Sequence, residues 1–178
     1  MSAARTLSGP LYHFSEEPRI GVFVPHRAFS RREDEEPLVW AIDEWHSFMY
    51  FFPRDCPRIL VWPLASSSED DRVRFMGETP ARAVATIAAG WLERLGSTTV
   101  YRYELPAVSF EDLNDAGMHV SRGTIKPVDC EAIRDLPRAL SDAGVELRSV
   151  ESLWPLHDAL LEATLHYSMI RMRNAAPR

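Results

Sequence analysis

Two prolines, Pro37 and Pro63, bracket the stretch that most limits what this chain can fold into, PLVWAIDEWHSFMYFFPRDCPRILVWP. Leu38 to Ile42 is an apolar run of strand length. Asp43 suits an N-cap, because its carboxylate accepts from an unpaired N–H of the following turn. Trp45, Phe48, Met49 and Phe52 then recur at helical spacing and predict one apolar face. Pro53 ends the helix, since proline lacks the N–H and disfavours a helical residue before it. Arg54 and Arg58 flank a tight PRDCPR turn, and Ile59 to Trp62 predicts the next strand. The stretch has room for a strand, a short helix and a strand, and for nothing long. Large aromatics at this spacing are core first, which places Phe48, Phe52 and Trp62 inside and leaves Trp45, His46 and Tyr50 on other faces.

Away from this stretch the pattern is of short elements. Residues 1–9 read as a polar lead-in, Leu11 to Phe14 as a first strand, and the charged run between His26 and Glu36 as a surface loop. Ser66 to Asp71 reads as a second solvated loop, the best place for a nick. Ala88 to Leu95 predicts a helix with Trp91, Leu92 and Leu95 inward and Gly96 just past its end. TTVYRYEL, Thr98 to Leu105, alternates strictly and is rich in β-branched and aromatic residues, a strand. Met118 to Ser121 and Thr124 to Val128 suggest further strands, the latter at an edge because of Pro127. Ala132 to Ala143 predicts a helix capped by Gly144, and Val145 to Val150 a strand. A last helix starts at Pro155, with Leu156, Leu160, Thr164, Leu165 and Met169 as its inward stripe. Short strands interrupted by short helices predict one α+β domain over residues 10–175, built on a small, twisted, mainly antiparallel sheet with flanking short helices and a C-terminal helix.

Charge and composition exclude some functions. A net charge of −6 argues against bulk nucleic-acid binding. No apolar run approaches the roughly 20 residues of a membrane span. Two cysteines far apart, with no signal-peptide core, predict a reducing, cytoplasmic setting. Neither G-x-G-x-x-G nor G-x-x-x-x-G-K-[ST] occurs, which argues against Rossmann and P-loop sites. Lys126 is the only lysine, so the rest of the 20 basic residues are arginine, whose planar fork suits phosphate and carboxylate.

His13 is the first candidate for chemistry. A histidine near a strand end can bond a sugar hydroxyl or shuttle a proton, and it can equally be a satisfied structural residue. The set LYHFSEEP, LVWAIDEWHS, FFPRDCPRI, TTVYRYELP, SR(x)TIKPV and LWPLHDAL, from Leu11 to about Asn174, resembles a bacterial family of uncharacterised function. More loosely, the L-Y-H strand, the strand–acid–aromatic helix unit and the Y-x-Y-E-L strand resemble ADP-ribosyltransferase-like domains. That resemblance implies that His13 contacts the ribose of a nicotinamide nucleotide and that Tyr50, or alternatively Trp40 or Trp45, stacks on nicotinamide. It implies NAD or a related small nucleotide as ligand. The glutamate that such domains carry on a late strand is not found: the matching stretch reads Gly117-Met118-His119-Val120-Ser121. A branch acting on RNA 2′-phosphates relies on arginines and histidine, which Arg54, Arg58, Arg102 and Arg122 would supply here; its own arginine motif is not found.

Other readings stand beside this one. A scaffold that lost its glutamate would serve as a noncatalytic interaction protein. Asp158, Glu162 and His166 form a row on the expected last helix, which suits a solvated face or, joined by His46 or His119, a metal-dependent hydrolase. No G-x-S-x-G elbow supports Ser47 or Ser168 as a nucleophile. Cys56 reads as an inert thiol.

Overall fold

The computed structural model describes residues 9–27 and 36–178. The expected lead-in before Gly9, and the part of the charged loop that includes Arg31, Arg32, Glu33 and Asp34, lie outside the described residues. The chain divides into two units, Met1–Ser47 with Val100–Ile133, and Phe48–Thr99 with Arg134–Arg178.

The first unit is a six-stranded antiparallel sheet. Its strands are β1 (Leu11–Ser15), β2 (Val39–Asp43), β5 (Val100–Leu105), β6 (Glu111–Asp112), β7 (Met118–Ser121) and β8 (Asp129–Ile133), in the order β6-β7-β2-β1-β5-β8. The strict alternation of β5 is the reason it sits well inside: Tyr103 and Leu105 are buried on one face while Arg102 and Glu104, with the buried Val100 at the strand's start, face the other way. Leu11, Val39, Ala41, Tyr103 and Leu105 form the core of this unit, covered by Phe23, Phe110 and Ile125. Phe23 and Ile125 exchange two backbone hydrogen bonds, of 2.7 and 2.9 Å. This isolated bridge is all that forms of the strand expected over Thr124–Val128. The edge strand begins only after Pro127, at Asp129.

The second unit holds a four-stranded sheet of β3 (Arg58–Trp62), β4 (Ala83–Ala88), β9 (Val145–Val150) and β10 (His166–Ile170), ordered β10-β3-β4-β9, with β4 and β9 parallel. The architecture is α+β, but with two sheets where the sequence suggested one. Every residue of β3 is buried, which explains its unbroken apolar run: a strand covered on both faces has no polar face to alternate with. The short helices are α1 (Glu69–Asp71), α2 (Leu92–Ser97), α3 (Leu136–Asp142) and α4 (Trp154–Leu160). Asp135 caps α3 by accepting from Arg138 N, and Gly144, at φ 72°, follows its end as the sequence predicts. In α2 Leu92 is exposed and Gly96 lies within the helix, so of the expected inward stripe only Leu95 is fully buried.

The final element corrects the sequence reading most. No single helix runs from Pro155; α4 stops at Leu160, and His166–Ile170 pairs antiparallel with β3. Thr164 decides the break. Its N–H and hydroxyl both donate to Asp71 Oδ2 at 2.7 Å, which removes it from a helical ladder. The serine-rich segment before Asp71 is tied down by the same residue: Ser67 Oγ donates to Thr164 O, and Ser68 N to Thr164 Oγ1, each at 2.9 Å. The expected loop is therefore an anchored turn with a short capped helix.

Candidate functional site

The end of β2 carries a polar cluster. Asp43 is its last residue, and Ser47–Tyr50 forms only a short 3-10 turn beyond it. The expected cap bond exists, with His46 N donating to Asp43 Oδ1 at 2.8 Å. The His46 imidazole folds back onto the same carboxylate, its Nδ1 lying 2.8 Å from Oδ1 and 3.0 Å from Oδ2. That contact fixes Nδ1 as the protonated nitrogen whenever Asp43 is ionised. Trp45 is 44% exposed and sets its ring edge-on to His46 at 4.5 Å.

Gly117 closes the other side. Its carbonyl accepts from Asp43 N at 2.9 Å. A Cβ there would stand 2.3 Å from His46 Nδ1 and 2.5 Å from the Asp43 carboxyl carbon, and its φ is 71°. The Asp43 carboxylate thus fills the space that a side chain opening β7 would need. Two residues on, His119 lies opposite Ala41. It is 4% exposed, and its Nδ1 is buried without a hydrogen-bond partner, an arrangement that costs on the order of 1–3 kcal/mol. Partial burial alone would raise the Asp43 carboxyl. The hydrogen bonds from His46 and the charges of His46 and His119 outweigh it and hold the pKa below the ordinary value.

His13 lies on β1, one of the two central strands. Its Nδ1–H donates to Trp40 O at 2.9 Å, and its ring tilts against Phe23 at 4.7 Å. Leu11, opposite Asp43, shares a face with His13, so the histidine and the Asp43 cluster stand on the same side of the sheet. Opposite His13 on β5 is Tyr103, and opposite Tyr103 on β8 is Cys130. The Tyr103 hydroxyl donates to Glu17 O at 2.5 Å and accepts from Ile20 N at 3.1 Å. Beside it opens a pocket of about 380 Å³ lined by Arg19, Ile20, Tyr103, Val128, Asp129 and Cys130 among others.

The other expected site residues have contacts of their own. Arg102 leaves the face opposite to Tyr103, stacks over Tyr12 at 4.7 Å and pairs with Glu131 at 2.5 Å. Arg122 joins Glu36 and Glu111. Tyr50, Arg54 and Arg58 belong to the second unit. There the fully buried Arg58 donates from Nε to Met49 O at 2.8 Å and from Nη1 to Cys56 O at 3.0 Å. Its guanidinium lies 5.0 Å from the Phe52 ring and 5.7 Å from Tyr50. Arg54 is exposed, with its carbonyl accepting from Arg171 Nε at 3.2 Å. The row on the expected last helix does not form, because His166 lies on β10, stacked on Trp62 at 4.6 Å. Among the described residues no three His, Cys, Asp or Glu side chains are grouped so as to hold a metal ion, and no helix is long and apolar enough to cross a membrane.

Residues 12–175 match the model of a family of unknown function, DUF6886, and the chain belongs to that family. No curated protein and no solved structure matches it.

Proposed function

We propose that the first unit binds NAD, ADP-ribose or a related nucleotide beside the half-buried His13, as an ADP-ribosyltransferase-like module. The observation that carries the reading is the placing of His13. It is a histidine on a central strand of an antiparallel sheet, its ring oriented by a backbone carbonyl, on the same face as a carboxylate–imidazole pair. An oriented imidazole and a carboxylate suit the hydroxyls of a sugar, and the exposed Trp45 ring beside them offers a face for a planar base. The role is binding, because β7 lacks the glutamate that transfer would call for. Arg58 serves its own unit instead, satisfying carbonyls of the 49–56 segment.

A thermal-shift panel tests this. Millimolar NAD, ADP-ribose or a 2′-phosphorylated RNA end should raise the melting temperature of the wild-type chain, since a ligand of the folded state stabilises it by RT ln(1 + [L]/Kd). His13→Ala should lose the shift. A flat response to all three ligands refutes the reading.

A further inference from the structure

We infer that the pocket beside Tyr103, at the β8 edge of the first sheet, binds a small zwitterion with an apolar side chain, of the size of a free amino acid or a dipeptide. Residues 18–21 and 127–130 line it together with Tyr103 of β5, around a volume of about 380 Å³. All of them belong to the first unit. The pocket is lined by none of His13, Asp43 and His46, so it stands apart from the nucleotide reading.

Both walls are tied to the sheet. The Tyr103 hydroxyl donates to Glu17 O and accepts from Ile20 N, and between those two residues Arg19 N donates to Glu17 Oε1 at 3.0 Å. On the other wall Val128 N donates to Glu104 O, and Cys130 N to Asp129 Oδ1, each at 2.8 Å. The backbone that carries Arg19 and the backbone that carries Asp129 are therefore set before a ligand arrives. Prior ordering of this kind removes part of the entropy cost of binding.

The lining selects the ligand. Arg19 and Asp129 bring opposite charges to one pocket. Neither forms an ion pair, with the other or with any further side chain, among the described residues. A guanidinium takes a carboxylate through its planar fork. The Asp129 carboxylate, whose Oδ2 lies outside the bond to Cys130 N, takes an ammonium group. An anion alone would meet Asp129 as a like charge, and a cation alone would meet Arg19; a molecule bearing both charges satisfies both residues. Pro18, Ile20, Pro127 and Val128 add an apolar lining. Val128 is 66% exposed, and an apolar side chain on the ligand would cover it. The volume lies near the lower end of ligand pockets, which suits an amino acid or a dipeptide.

Isothermal titration of the full chain with L-leucine and with L-leucyl-L-leucine tests the assignment. Isoamylamine and isocaproate serve as probes that each lack one of the two charges. The better of the two zwitterions should bind about tenfold more tightly than either probe, the worth of one charge-assisted hydrogen bond. Arg19→Gln should bring it down to the affinity of isoamylamine, and Asp129→Asn to that of isocaproate. Both side chains are exposed and Asn keeps an oxygen for Cys130 N, so both variants should melt with the wild type. The exposed Cys130 thiol locates the site. Saturating zwitterion should slow its alkylation by iodoacetamide several-fold, read by mass spectrometry of the intact chain. Binding without that protection, or binding unchanged in both variants, puts the ligand elsewhere and overturns the site. A single-charge probe bound as tightly as the zwitterion overturns the class of ligand. No heat from either zwitterion at tens of millimolar overturns the assignment outright, and leaves nucleotide binding to its own test.

Discussion

Gly117 and Asp43 share one volume: the glycine leaves out the side chain whose place the aspartate carboxylate takes, 2.5 Å from where a Cβ would stand. Gly117→Ala therefore has to expel the carboxylate from its contact with His46, and also holds an alanine at φ 71°. We expect a loss of ~2 kcal/mol of stability, seen as a lower urea midpoint with an unchanged slope.

Acid should weaken the first unit through Asp43. Its folded pKa lies below the ordinary aspartate value of 3.8, so between the two values the unfolded chain binds more protons and stability rises with pH. The contribution is complete above the unfolded pKa and is lost as the pH falls through the folded one. Asp43→Asn should flatten the stability–pH curve below about pH 4, which denaturant titrations across that range would measure.

Removing the Arg58 guanidinium strands two carbonyls, those of Met49 and Cys56, inside a buried segment. Arg58→Met should destabilise the protein by about 3 kcal/mol or more. Arg58→Lys should not restore it, because an ammonium cannot reproduce the planar fork that serves both carbonyls. Calorimetric melting of the two variants gives the answer.

The two cysteines should differ sharply in reactivity. Burial pushes the Cys56 thiol up to about 11, while Cys130 is exposed. At pH 8 a chromogenic disulfide reagent should titrate Cys130 rapidly in the native protein and reach Cys56 only after denaturant is added. Cys130→Ser should abolish the fast phase.

Thr164 fastens the serine-rich segment that the sequence marks as a place for a nick. Thr164→Val removes the hydroxyl that contacts Asp71 and Ser68. Limited proteolysis should then cut between Ser66 and Asp71 several-fold faster than in the wild type, since release of the segment by local opening becomes easier.

These residues also show where the sequence was readable. Strands with strict alternation, β5 above all, or with an unbroken apolar run, β3, could be recognised because burial on one or both faces leaves a direct mark on the residues. Gly144 could be recognised because a positive φ past a helix end asks for glycine. The final strand could not: Leu156, Leu160, Leu165 and Met169 satisfy a helical stripe, and the break after Leu160 depends on the bond from Thr164 to Asp71, 93 residues before it. In the candidate site, Asp43 was legible as a cap, and that bond is present. The imidazole on the same carboxylate has only the Asp43-x-x-His46 spacing as a signal, and such spacing is common. Gly117 carries no local sign that a carboxylate takes its side-chain space, and the isolation of His119 Nδ1 depends on strand register, which no local pattern discloses.

The segments of the two units alternate along the chain, and this governs how the protein can be made and cut. The first unit lacks its outer strand until Asp129–Ile133 has been synthesised; the second awaits both β9, the parallel partner of β4, and β10, the partner of β3. The first cannot be finished from the ribosome before about three-quarters of the chain has emerged, and the second before nearly all of it has, so folding is dominated by contacts between distant residues, a slow class of topology. No single cut releases either unit whole. A truncation meant to isolate the His13 face must join Ser47 to Val100 through a new linker, or it leaves β1 and β2 without β5.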